Sequence, residues 1–269
     1  MLFRSITGLA GLLAGISASS EWMTYLEWRN ATDFGVTDPQ FGLDVGFYTF
    51  TLPFWRFVLG FAFAAVIVSL VLAIVVQYLY GGIRLQPKGD RASAAAQVQL
   101  SALVAILLLL KAVAYWLDRY ELMVQSQSLV QGFTGMKYTD ANAVLPSLNI
   151  LTFVALLVAA MFIINMFVRS WALPIIGLGL LIGSSILIGG VYPAIVQQFQ
   201  VRPSELVKEQ PFIQRNIDAT RAAYRIDSAQ IEDYPGTVEP PDAAVIAAKR
   251  SEEHTSELQS RQYLVCRLL

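Results

Sequence analysis

Long apolar runs separated by short polar connections dominate this chain, and their length is the first clue to its fold. A helix that crosses a bilayer needs ~20 mostly apolar residues, and five stretches meet that requirement: Leu2 to Ser19, Phe54 to Tyr80, Val98 to Leu117, Ile150 to Val168 and Leu173 to Tyr192. The second carries no charge after Arg56 and has aromatic residues at both ends, as interfacial belts do. The last two are joined only by Arg169, Ser170, Trp171 and Ala172, which makes them a tight hairpin. The first is short and rich in Gly and Ser and carries Arg4 near its start, so two readings stand for it, a membrane span or a signal peptide. The pattern predicts an all-α integral membrane protein with about five transmembrane helices over residues 1–192, followed by the start of a polar extracytoplasmic region over 193–249.

In that polar region, Pro211 to Tyr224 is suited to a helix, with Pro211 at the first position and Phe212, Ile213 and Ile217 as apolar anchors. From Ile231 onward, Pro235, Gly236, Pro240 and Pro241 read as a loop or linker. Arg250 to Leu269 reads like the in-frame translation of a sequencing adaptor and is expected to be an artefactual tail. On that expectation the natural protein continues beyond Lys249. The tail holds the only His, His254, and the only Cys, Cys266.

Composition agrees with the membrane class: 269 residues, 55% hydrophobic and 14% charged, with mean hydropathy +0.53. With a formal net charge of -1 there is no basic excess to suggest a nucleic-acid partner. The placement of the charges says more than their sum. Arg84, Lys88, Arg91 and Arg169 face one acid, Asp90, on the connections expected on one side. Glu21, Glu27, Asp33, Asp38 and Asp44 against Arg29, then Asp118, Glu121 and Asp140 against Arg119 and Lys137, occupy the other. The positive-inside rule puts the basic set in the cytoplasm and everything after Tyr192 outside it.

Residues 1–249 contain neither His nor Cys, so Cys nucleophiles, His bases, disulfides and the usual zinc sites have no residues to work with there. There is no P-loop, GxSxG, HExxH or dinucleotide fingerprint. No catalytic, cofactor-binding or metal-ligating residue is assigned, and no cofactor is expected.

One intramembrane charge stands out. Lys111 interrupts LVAILLLLKAVAYWL, where a cation costs about 2.5–3.5 kcal/mol on insertion scales. It lies about 10 Å along the helix from Asp118, so it can snorkel to the outer interface, or act as a functional charge with Asp118 as its partner on nearly the same helix face. Asp118, Arg119 and Glu121, beside Tyr115, Trp116 and Tyr120, have the composition of a helix end at an interface. Asp33, Asp38 and Asp44 lie among glycines and are expected to form turns, since their spacing fits no calcium loop. Asn30-Ala31-Thr32 satisfies a glycosylation pattern and is given no function. Gly11/Gly15 and Gly179/Gly183 have the spacing that permits close helix packing, and Asn165 is placed for an interhelical hydrogen bond.

Four blocks together resemble uncharacterised protein family 0182: ATDFGVTDPQFGLDVGFYTFTLPFWRF from Ala31, LKAVAYWLDRYEL from Leu110, YTDANAVLPSLNIL from Tyr138, and VYPAIVQQFQVRPSELVKEQPFIQRNIDATRAAY from Val191. The resemblance implies a long bacterial protein with about seven N-terminal transmembrane helices and a large extracytoplasmic region, of which the five here would be the last five. It supplies architecture rather than chemistry. Two functional expectations remain open: a non-enzymatic envelope component that anchors an extracytoplasmic domain, with the lipid bilayer and a homo-oligomer or envelope proteins as partners, or a transporter or conduction protein using Lys111 and acidic partners. A third class, an enzyme whose catalytic domain lies beyond Lys249, would reveal itself only in sequence outside this chain.

Overall fold

The computed structural model describes residues 8, 11, 12, 15–82, 93–125 and 134–226. The described residues up to 220 belong to one compact unit, and 221–226 to a second. Among the described residues the elements are helices, with one isolated β-bridge between Thr37 and Asp44. A short helix α1 (Trp22–Arg29) precedes four helices long and apolar enough to cross a membrane: α2 (Phe47–Leu79), α3 (Ala94–Glu121), α4 (Asp140–Val168) and α5 (Ala172–Tyr224). Of the expected first span, 15–19 are described and helical, while most of 2–14 lies outside the described residues, as do Arg84, Lys88, Asp90, Arg91, the linker from Ile231 and the tail 250–269.

The helices exceed their apolar runs, and prolines explain how. α2 begins at Phe47 rather than Phe54, and α4 at Asp140 rather than Ile150. α5 does not stop at Tyr192. It passes through Pro193 and Pro203, and Pro211 lies inside its final α-helical segment, Glu205–Tyr224, instead of starting a new helix. Proline lacks an N–H, and its ring collides with the carbonyl four residues earlier. In each of four places that carbonyl belongs to a π-helical stretch: Phe47–Thr51 before Pro53, Asp140–Val144 before Pro146, Leu187–Val191 before Pro193, and Val196–Val201 before Pro203. The wider turn relieves the clash and re-pairs the backbone, so the helix continues where a sequence reading expects it to break.

α3 is the central helix. One face meets α2, where Tyr48, Leu52 and Leu59 pack with Ala114 and Leu117. Another meets α4 through Ala105, Leu108 and Ala112 against Leu151, Ala155, Val158, Ala159 and Phe162. The alanines on both helices let the backbones approach closely, which is how helices associate when the surroundings are as apolar as the side chains. α5 adds to α4 through Gly177 and Gly189: a Cβ at Gly177 would lie 3.0 Å from Val158, and one at Gly189 would lie 3.1 Å from Leu151. Around the other pairs read as packing positions, Gly11/Gly15 and Gly179/Gly183, a Cβ would meet nothing within 4 Å among the described residues.

Asn165 does make the interhelical bond. It is 1% exposed, and its Nδ2 donates to Ser101 Oγ at 3.1 Å. Its Oδ1 accepts from the Ser170 N–H at 2.9 Å, fastening the hairpin into α5. At that turn Arg169 takes the left-handed conformation, φ 54°.

Candidate functional site

The polar feature that the helices build together lies where α2, α3 and α4 begin or end. Arg56 follows Pro53 by less than one turn, so the π stretch that accommodates Pro53 also sets the direction of its side chain. Asp118 and Glu121 occupy the last turn of α3, where the helix dipole disfavours negative charge and a cation nearby is stabilising. Arg56 Nη2 donates to Asp118 Oδ1 at 2.6 Å and also to Glu121 Oε2. The Arg56 Nε is buried with no hydrogen-bond partner among the described residues. Beside these groups opens a cavity of about 730 Å³, lined by Tyr48, Pro53 and Leu52 of α2 and Val144 and Leu148 of α4 as well as by the charged side chains. One guanidinium thus stands between two carboxyl groups at the edge of a largely apolar cavity, joined to them by charge-assisted hydrogen bonds.

Lys111 is elsewhere. Its Nζ lies 4.3 Å from the centroid of the Tyr115 ring, a cation–π contact within the same helix. The partner of Asp118 is therefore Arg56 on α2, not Lys111. Arg119, next to Asp118 in sequence, turns to neutral acceptors: Asn149 Oδ1 at 2.8 Å, the Tyr120 hydroxyl at 3.1 Å and the Trp116 carbonyl at 3.3 Å. Its guanidinium also covers the Trp116 and Tyr120 rings.

The acidic loop before α2 organises backbone, as its spacing suggests. Asp38 accepts from the N–H groups of Gln40, Phe41 and Leu43 and from the Tyr48 hydroxyl at 2.9 Å. Asp44 accepts from the N–H groups of Phe34, Gly35 and Gly46. Those bonds, Phe34's foremost, hold the Asp44 carboxyl below the usual aspartate value. Gly35 and Gly42 supply positive φ angles, 73° and 68°, at the two bends. Among the described residues no group of three or more His, Cys, Asp or Glu could hold a metal ion.

A second polar contact had no counterpart in the sequence reading. The far end of α5 rests on residues 134–144. The buried Glu209 accepts the Tyr138 N–H at 3.0 Å, Lys208 Nζ reaches the Tyr138 hydroxyl at 3.3 Å, Thr139 bonds Gln197, and Asn216 Nδ2 donates to the Thr134 carbonyl at 2.8 Å. Burial pushes the Glu209 carboxyl above the usual glutamate value.

The pattern that defines the Uncharacterised protein family (UPF0182) matches residues 1–263. The chain belongs to that family. It is similar to UPF0182 proteins of Streptomyces coelicolor, 51% identical over 90% of this chain and 24% of the relative, of Frankia alni, 48% identical over 92% and 24%, and of Thermobifida fusca, 49% identical over 89% and 23%. The chain thus spans about a quarter of the length of these UPF0182 relatives. No solved structure matches it.

Proposed function

We propose that this UPF0182 chain is the membrane portion of a multi-pass bacterial cell-membrane protein whose role is non-enzymatic: it anchors an extracytoplasmic region. The observation behind this reading is the continuity of α5. α5 runs without a break through 53 residues, a contour of about 80 Å at ~1.5 Å per residue, against a hydrocarbon core of ~30 Å. The excess is polar from Glu205 onward and is tied to residues 134–144 through Glu209 and Asn216. A span that continues as a braced helix can transmit position from the membrane to whatever follows.

Spin labels at Gly190→Cys and Ala219→Cys, on a Cys266→Ser background, test that continuity in the reconstituted chain. A continuous, braced helix gives a single narrow distance distribution; a broad one means that the continuation is not held to the rest of the chain.

The cavity beside Arg56, Asp118 and Glu121 favours a second reading, conduction or transport, with Asp118 at the cavity and Lys111, outside it, as a further intramembrane charge. Proton and potassium fluxes into vesicles separate the two. An anchor gives fluxes equal to those of empty vesicles, with Lys111→Leu and Asp118→Asn indistinguishable from the parent. Transport gives a flux that these substitutions abolish while insertion is retained.

A further inference from the structure

A second cavity, of about 490 Å³, lies between α2 and α3, and its walls are wholly apolar or aromatic: Phe47, Trp55, Val58 and Ala62 on one side, Val113 and Trp116 among those on the other. It is open at the surface, with Trp55 47%, Val113 46% and Trp116 45% exposed. From Trp55 to Ala62 the groove follows α2 for about 10 Å. Arg119 stacks on its α3 wall. The guanidinium lies 5.4 Å from the centroid of the Trp116 ring, which lines the groove, and 5.2 Å from Tyr120, whose ring packs 5.3 Å from that of Phe47 on the opposite wall.

The charge of Arg119 distinguishes it from Arg56. Arg56 has two carboxylates; Arg119 donates only to the neutral Asn149, Tyr120 and Trp116 groups and forms no ion pair among the described residues. A guanidinium with no carboxylate partner among the described residues, held against the wall of an apolar groove, complements a molecule with an anionic head and a hydrocarbon tail. We infer that this groove binds one acyl chain of an anionic phospholipid, with the lipid phosphate held at Arg119. The inference rests on α2 and α3 crossing the bilayer, and is independent of whether the protein anchors or transports.

The test is tryptophan quenching by lipids brominated on their acyl chains. The full chain, with Trp22, Trp28, Trp55 and Trp171 replaced by Phe so that Trp116 alone reports, is reconstituted into phosphatidylcholine vesicles containing brominated phosphatidylglycerol or brominated phosphatidylcholine. The expected result is half-maximal quenching at a roughly tenfold lower fraction of the anionic lipid, a preference lost in Arg119→Gln while quenching by the zwitterionic lipid is retained. Val113→Phe, which fills the groove, should reduce quenching by both lipids. Equal quenching by the two lipids in the parent, or a preference that survives Arg119→Gln, overturns the inference. Flotation of the same protein with the vesicles reads membrane insertion separately: protein that fails to float refutes the bilayer reading itself.

Discussion

Replacing Arg56 by Gln removes the one cation between Asp118 and Glu121. The consequence can be sized from the geometry. A fully buried ion pair broken on one side costs about 3–5 kcal/mol, whereas an exposed pair contributes about 0–1 kcal/mol. Arg56 and Asp118 side chains are 24% and 31% exposed, Glu121 56%. The Arg56–Asp118 interaction therefore falls between the limits, at about 1–3 kcal/mol, and the Glu121 arm contributes about 0–1 kcal/mol. The assay is a double-mutant cycle on thermal unfolding in detergent, with Arg56→Gln, Asp118→Asn and the double variant, repeated with Glu121→Gln. Asp118→Asn should rescue most of the loss caused by Arg56→Gln, because the uncompensated carboxylate is gone, and the Glu121 cycle should show a smaller coupling. Strict additivity of Arg56→Gln and Asp118→Asn would refute the reasoning, as would a larger coupling to Glu121 than to Asp118.

Four further outcomes follow from particular contacts. Asp38→Ala removes the acceptor of three N–H groups and strands the Tyr48 hydroxyl, so it should lower stability by about 1–3 kcal/mol, whereas Tyr48→Phe should cost less; equal losses in thermal unfolding would contradict this. Gly177→Val forces a side chain against Val158 and should cost about 1–3 kcal/mol, while Gly183→Ala, with open space around it, should be nearly neutral in the same assay. Asn165→Val leaves Ser101 and the Ser170 N–H without their partner and should cost about 0.6–2 kcal/mol; an unchanged melting point would show the bond to be dispensable. Because the folded-state pKa of Glu209 is raised, its favourable contribution is complete below the unfolded-state value and is lost as pH rises through the folded one. The thermal stability of Glu209→Gln relative to the parent should therefore increase as pH rises from 4 to 8, since only the parent carries the buried carboxylate; a decrease would refute the assignment.

What the sequence made legible was whatever local chemistry decides. Long apolar runs identify the helices of α2 to α5, the aspartates among glycines identify turns, and Asn165 in an otherwise apolar helix identifies a buried hydrogen bond. What depends on rotation and distant pairing was not legible. Asp118 finds Arg56 across 62 residues, and nothing within α3 announces that its neighbour on another helix outcompetes Lys111 on its own. A signal did exist: Arg56 is the one charge in the run from Phe54 to Tyr80, and such a charge calls for a partner. Gly177 and Gly189 face α4 while Gly179 and Gly183 do not, because the rotation of α5 is fixed by Val158 and Leu151 rather than by its own spacing. Pro193 read as the end of a helix because a proline ordinarily is one, yet the π turn before it absorbs the defect.

The central claim is that α5 leaves the membrane on the extracytoplasmic side, opposite the hairpin that precedes it. Cysteine accessibility in intact cells tests it directly. In a Cys266→Ser background, Ala219→Cys and Ser170→Cys are exposed in turn to a membrane-impermeant thiol reagent. The expected result is labelling at position 219 in intact cells and labelling at position 170 only after lysis. Labelling at 170 with protection at 219 would invert the topology, and labelling of both would remove the membrane crossing between them.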